Sequence, residues 1–227
     1  MIEVKELIVN NYPKSSITEA IKTVRTNLRF SSVNKKIKTI LITSSLMGEG
    51  KSFISANLGA TFANAKEKVL LIDCDLRRGR QQRIFDKDKT ELGLSNLLID
   101  DDWKDNLDTY IQKTEVKRLD VITTGSIPPN PTVLLESKKI EMILDKLKEK
   151  YDVIILDSPP VQGLTDALIL TRLTDVVLIV ASCKKTSIEL LENTKQALEN
   201  VNANIAGVVL NQVEQKESKY YYSRYYE

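Results

Sequence analysis

KTILITSSLMGEGKS, residues 38–52, is the stretch whose reading decides the fold. An apolar run over 39–43 leads into a turn carrying Gly48 and Gly50, and the turn closes on Lys51 and Ser52. The order is strand, loop, helix start. Backbone N–H groups of such a loop point inward and cradle phosphate oxygens, and the positive end of the following helix adds to the field. A lysine at position 51 reaches the β- and γ-phosphates, and a serine at 52 places its hydroxyl on Mg²⁺. The pattern G-x-x-x-x-G-K-[S/T] fails at one position, because Ser45 stands where the first glycine is usual. Gly48, Glu49, Gly50, Lys51, Ser52 and Phe53 are therefore the expected nucleotide contacts. The competing reading is a strand-to-helix turn with a chance Lys-Ser pair.

Working outward, continuous apolar runs predict strands over 39–44, 68–73, 119–123, 152–157, 175–181 and 205–210. Helical spacing predicts helices near 51–65, 132–149, 164–173 and 186–200. Apolar strands alternating with helices indicate a doubly wound α/β domain, with a mostly parallel sheet covered on both faces. Ahead of it, residues 1–14 read as an irregular arm. Ser16-Ile17-Thr18-Glu19 reads as a capping box opening a helix to about Phe30, with Ile17, Ile21, Val24 and Leu28 on one face. Glu19, Lys22, Arg25 and Arg29 lie on the other, as a solvated or a partner-binding face. The region 78–118 is less regular. Residues 1–211 are expected to form one nucleotide-binding domain, and 212–227 a flexible polar tail.

The totals narrow the chemistry. The chain has 227 residues and a formal net charge of +2, so no global field argues for nucleic acid. There is no histidine, which excludes His-based triads and HExxH metal sites. The work falls to carboxylates, Lys, Arg, hydroxyls and a hard cation such as Mg²⁺. Two cysteines are too few for a disulfide framework. MIEVKELIVN lacks the form of a signal peptide, and no run approaches the ~18 apolar residues of a membrane span. A cytoplasmic protein is expected.

Two further strand ends carry acids: VLLIDCD, ending in Asp73 and Asp75, and VIILD, ending in Asp157. Side chains alternate along a strand, so Asp73 and Asp75 share a side and Cys74 points away. An apolar strand ending in Asp is the pattern that sets a carboxylate near the Mg²⁺ of a phosphate loop. Parallel strands end at one edge, so Ser52, Asp73, Asp75 and Asp157 converge there. Arg77, Arg78, Arg80 and Arg83 follow the first pair, either to meet phosphate or a partner, or as a solvated loop. At the far end, Tyr220, Tyr221, Tyr222, Tyr225 and Tyr226 crowd into YYYSRYYE.

SSLMGEGKS, LLIDCDLR and VIILDSPP, with the terminal tyrosines, resemble the nucleotide motifs of bacterial tyrosine kinases of the capsule and exopolysaccharide type. The resemblance runs from Glu19 to Glu227. It implies an ATP-dependent protein-tyrosine kinase that autophosphorylates its tail on Tyr220, Tyr221, Tyr222, Tyr225 and Tyr226, in trans. Lys51 and Ser52 would bind phosphate and Mg²⁺. Asp73 and Asp75 would assist the metal and activate the tyrosine hydroxyl, and Asp157 would hold Mg²⁺. Asn211 would contact the purine. Glu19, Lys22 and Arg25 match an E-x-x-R-x-x-R motif of ring-like oligomers, with Lys22 in place of the first Arg and so without its bidentate fork. The resemblance further implies a transmembrane activator whose cytoplasmic end recruits the kinase to the inner face of the membrane, a phosphotyrosine phosphatase, and a role in polysaccharide synthesis or export.

A tyrosine hydroxyl has an ordinary pKa near 10, and without histidine the base is a carboxylate, Asp73 or Asp75. From Val213 to Tyr220 an extended chain spans at most ~25 Å, which reaches its own site or a neighbour's. The main rival is a nucleotide switch of the partition and septum-positioning type. Its K-G-G-x-G-K-T loop places a lysine where Leu46 stands and a glycine where Met47 stands. An ATP-binding scaffold and a small-molecule kinase with an arginine lid over 77–83 are further alternatives.

Overall fold

The structure, a computed structural model, describes residues 6–31, 36–87 and 92–214. A 7-stranded sheet has the order β3-β4-β2-β5-β1-β6-β7. The strands are β1 (Thr39–Ser44), β2 (Val69–Asp73), β3 (Gln112–Lys113), β4 (Leu119–Ile122), β5 (Val153–Asp157), β6 (Val176–Ser182) and β7 (Ile205–Asn211). All neighbours pair in parallel except β3 with β4. The doubly wound α/β class expected from the sequence is the fold observed.

The helices are α1 (Ile8–Asn11), α2 (Ser16–Phe30), α3 (Lys51–Asn64), α4 (Gln81–Ile84), α5 (Leu94–Ile99), α6 (Trp103–Asn106), α7 (Pro131–Glu136), α8 (Lys138–Lys150), α9 (Asp166–Thr171) and α10 (Ile188–Glu199). Alternation along the central strands divides the core in two. Leu41, Leu70, Ile72, Ile154 and Leu156 face one layer with α5 and α7 to α10. Ile40, Ile42, Leu71, Val153 and Ile155 face the other, with α2 and α3. Helix α3 lies between the sheet and α2, and Ala56, Leu58, Ala60 and Phe62 are each fully buried. Its small residues let the helix that carries Lys51 pack close to the strands that carry the acids.

Three expectations need correction. Residues 1–14 are not simply an irregular arm: α1 lies within them, and Leu7, Ile8 and Val9 are buried. Asn57 of α3 accepts from Val9 N at 3.0 Å and donates to Glu6 O at 2.8 Å, so an apolar triplet too short for periodicity is fixed by tertiary contacts. The cap of α2 is Ser15, whose extended backbone leaves its Oγ to accept from Thr18 N at 3.2 Å; Ser16 is already helical, and Ile17 is exposed while Ile21 and Leu28 are buried. The helix expected over 132–149 breaks at Ser137 (ψ 149°), whose Oγ donates to Leu134 O at 2.7 Å and competes with the helical pattern. Strand β3 has 2 residues, below any detectable alternation.

No helix among the described residues is long and apolar enough to cross a membrane. The five terminal tyrosines lie outside the described residues.

Candidate active site

The strand order β2-β5-β1 places the three motif-bearing strand ends side by side. Ile42 of β1 registers with Asp157 of β5, and Asp157 with Asp73 of β2. The convergence expected for Ser52, Asp73, Asp75 and Asp157 follows from this order.

The loop from Ser45 to Gly50 is held by one internal contact and by residues from distant parts of the chain. Gly48 (φ 79°) and Gly50 (φ 96°) take left-handed backbone that side chains disfavour. A Cβ at Gly50 would also stand 2.1 Å from Asn211 Nδ2. Glu49 is fully buried; its Oε2 accepts from Leu46 N at 2.7 Å and its Oε1 accepts from Thr186 Oγ1. The Glu49 side chain thus shapes the loop, leaving only its peptide group for a ligand. Ser45 is buried, and its Oγ accepts from Thr194 Oγ1 of α10 at 2.8 Å, so a side chain fits where a glycine is usual. Asn211 donates to Glu49 O at 2.9 Å and Gln212 to Gly48 O at 3.1 Å. Asn211 therefore braces the loop directly. Phe53 is half-buried, and its amide belongs to the first turn of α3, where N–H groups lack intrahelical partners.

Lys51 is only 8% exposed, and Asp73 and Asp157 are 0% and 1% exposed. Burial pushes the Asp157 carboxyl above its ordinary range, opposed first by the Lys51 ammonium and then by hydrogen bonds from Gln81 and Ser52. Ser55 Oγ donates to Asp157 Oδ1 at 3.2 Å, and Gln81 Nε2 to Asp157 Oδ2 at 2.7 Å. Asp73 is pushed well up, by burial first and then by the Asp157 charge.

The structure separates the two acids of the LLIDCD motif. Asp73 is spent on backbone: its Oδ1 accepts from Asp75 N at 3.2 Å and its Oδ2 from Gln81 N at 2.9 Å. Asp75 is half-buried; its Oδ1 accepts from Arg77 N at 3.3 Å and Arg78 N at 2.9 Å, which leaves Oδ2 without a hydrogen bond among the described residues. Gly79 seals the turn, since a Cβ there would stand 2.6 Å from Asp73 Oδ2 and 2.1 Å from Thr124 Cγ2.

The arginines that follow divide as well. Arg77 reaches away, its Nε 3.2 Å from Asp166 Oδ2. Arg80 pairs with Glu6 at 3.4 Å. Arg78 instead lies over the phosphate loop, with NH1 3.6 Å from Met47 Sδ.

The donor set fits Mg²⁺. Among the described residues no cluster of three or more acidic, Cys or His side chains forms a metal cage. Mg²⁺ in phosphate-loop sites keeps most of its waters and takes few protein ligands beside the phosphates. Ser52 and Asp157 supply that number, and the buried Gln81 Oε1, which has no partner, offers an acceptor beside them.

Two residues at the site carry no sequence signal. Gln81 is fully buried at the centre of the carboxylates yet reads as one polar residue in a polar loop. Lys185 lies far along the chain, and its Nζ is 3.0 Å from where a Cβ of Gly48 would stand. The proposed oligomer face is elsewhere. On α2, Lys22 pairs with Glu19 at 2.7 Å, and Arg25 Nε is buried without a hydrogen-bond partner.

The sequence profile of a family described as an AAA domain matches residues 37–209. The putative tyrosine-protein kinase CapB of Staphylococcus aureus is 38% identical over 96% of this chain and 95% of its own length. The tyrosine-protein kinase YwqD of Bacillus subtilis is 38% identical over 91% of this chain and 86% of its own. Among solved structures, the chimerical protein CapA2B2 superposes with a TM-score of 0.87 at 36% identity, covering 94% of this chain and 92% of that one. The kinase domain of the Escherichia coli tyrosine kinase ETK gives 0.86 at 35% identity, over 94% and 82%. A septum site-determining protein from Pyrococcus horikoshii, at 22% identity and a TM-score of 0.65 over 79% of this chain and 72% of that one, shares the fold alone. With relatives of this identity and extent, and with the phosphate loop and paired acids set at one sheet edge, the chain belongs to the bacterial tyrosine kinase family.

Proposed function

We propose that this chain transfers the γ-phosphoryl group of MgATP to tyrosine hydroxyls, including those of its own tail, and does so on a neighbouring copy. The observation that carries this reading is the convergence of Lys51, Ser52, Asp75 and Asp157 at the edge where β7 ends. Strand β7 ends at Asn211 on the side of the phosphate loop, so residues 212–214, which lead toward the tyrosines in sequence, start from that side.

Phosphoryl transfer needs positioning and charge neutralisation more than covalent chemistry by the protein. The loop 45–50 and the first turn of α3 hold the phosphates, Lys51 offsets their charge, and Asn211, which braces that loop at Glu49, would contact the purine. Ser52 and Asp157 would hold Mg²⁺, which when bound neutralises charge developing on the phosphates. Asp75 is the better placed of the two acids to take the tyrosine proton, because its Oδ2 is uncommitted whereas both Asp73 oxygens accept backbone amides. The same reading assigns the Glu19, Lys22 and Arg25 face of α2 to ring-like self-assembly and supplies a membrane-bound activator. It places the kinase at the inner membrane face, under a phosphatase, in control of capsule or exopolysaccharide production. Full phosphorylation of the tail adds roughly −8 to −10 charge within eight residues, enough to oppose self-assembly.

One mass-spectrometric map tests the reading. Incubation with MgATP, with and without the cytoplasmic end of a candidate activator, is expected to place phosphate on Tyr220–Tyr226 in the wild type and none in Lys51→Met. Steady ATP hydrolysis with no phosphotyrosine in either condition overturns it in favour of a nucleotide switch.

A further inference from the structure

We propose that Gln81 is a positioning residue for the metal-facing carboxylate, a role that rests on the MgATP reading of this site. Its side chain is fully buried at the first position of α4. Nε2 donates to Asp157 Oδ2 at 2.7 Å and to Ser52 O at 3.1 Å, and its backbone N donates to Asp73 Oδ2 at 2.9 Å. One residue therefore ties together the end of β2, the end of β5 and the first turn of α3. Both groups facing the amide are acceptors, so the nitrogen must point at them; the flipped amide would set its oxygen against a carboxylate and a carbonyl.

The consequence for Asp157 is specific. Ser55 Oγ holds one carboxylate oxygen and Gln81 Nε2 the other, so the plane of the carboxylate is fixed beside Ser52. A carboxylate buried among apolar strands needs such donors to stay charged. Gln81 supplies one without adding charge of its own, where a lysine would compete with the cation and a carboxylate would repel Asp157. Its Oε1 is buried and unpartnered, a state that a folded interior seldom leaves unsatisfied. A water on a cation held by Ser52 and Asp157 is a donor of the kind this acceptor lacks, since Mg²⁺ retains much of its hydration. Gln81 thus sets the carboxylate that would hold the ion, and its free Oε1 would accept from the water the ion brings.

The test separates metal binding from nucleotide binding. Gln81→Met keeps the length and apolar bulk of the side chain and removes donor and acceptor. Binding of a non-hydrolysable ATP analogue without metal is measured by titration calorimetry, and Mn²⁺ binding to the nucleotide complex by electron paramagnetic resonance. The expected result is metal-free nucleotide affinity within twofold of wild type and Mn²⁺ affinity lowered about tenfold or more, with Mg²⁺ rescuing phosphoryl transfer at proportionally higher concentration. Mn²⁺ affinity within twofold of wild type overturns the proposal. Failure of the MgATP reading itself looks different, because the wild type would then bind neither analogue nor Mn²⁺. Should the variant not fold, the wild type still decides: the Gln81 side-chain amide resonance must shift when Mg²⁺ is added to the nucleotide complex, and an unmoved resonance refutes the role.

Discussion

Asp152 and Asp157 flank the same strand, and the fold treats them in opposite ways. Asp152, just ahead of β5, is half-buried; its Oδ2 accepts from Lys68 N at 2.9 Å and its Oδ1 lies 3.7 Å from Lys36 Nζ. The Lys68 amide, with help from nearby lysines, holds its carboxyl below the ordinary range. Asp157, at the other end, is buried and pushed up. The contrast extends along both edges of the sheet. At the starting edge, Asp175 accepts from the backbone of Lys38 and Thr39 at 2.9 Å each, and Lys113 pairs with Asp120 at 2.9 Å. Those contacts close the ends of strands. At the finishing edge Asp73 and Asp157 are neighbours in register, both buried, with Lys51 as the cation against Asp157. One edge is built for stability; the other holds charge in an unfavourable place, ready for a ligand that brings its own.

The sharpest way to break that comparison is at Gly50. Gly50→Ala puts a side chain into left-handed backbone and into Asn211 Nδ2. It is expected to weaken nucleotide binding at least tenfold, from a strain of about 1–2 kcal/mol together with the displaced brace. Calorimetric titration with ATP checks this, and an affinity near wild type would mean the loop is not the phosphate site.

A smaller effect is expected at the starting edge. Asp175→Ala leaves the first amides of β1 without their acceptor and should lower stability by about 1–3 kcal/mol. ATP affinity should not change, as chemical unfolding and the same titration would show. A parallel loss of nucleotide binding would deny the division of labour between the edges.

The smallest effect is one of slope. A carboxylate whose folded pKa is raised binds its proton more tightly in the folded state. Its share of stability is therefore largest at low pH and declines as pH rises from the ordinary carboxylate range through the raised value. With no histidine in the chain, a decline in stability that continues above the ordinary carboxylate range reports the raised Asp73 and Asp157 carboxyls. Asp73→Asn should flatten that slope; because its amide nitrogen cannot accept one of the two backbone N–H groups that Asp73 holds, the readout is the slope and not the unfolding temperature at a single pH. Thermal melts across that range decide it; an unchanged slope would show the pair is not strained.

The motifs at the finishing edge were legible because each is local. A strand ending in acid and a loop ending in Gly-Lys-Ser are fixed by neighbours in sequence, and continuous apolar runs could only be strands covered on both faces. The divided helix at Ser137, the one-residue shift of the α2 cap and the buried Leu7-Ile8-Val9 segment turned on contacts between distant residues, to which periodicity is blind.

The sequence by itself determined the class of fold, the phosphate loop and the acids that share its edge, because parallel strands all finish on one side. Only the tertiary structure decided the strand order that brings β2, β5 and β1 together. It also committed Asp73 to backbone amides while leaving an oxygen of Asp75 uncommitted, and it turned Glu49 into loop architecture. The places of Gln81 and Lys185 came the same way, since their roles depend on side chains that meet across the fold and no spacing along the chain records such a meeting.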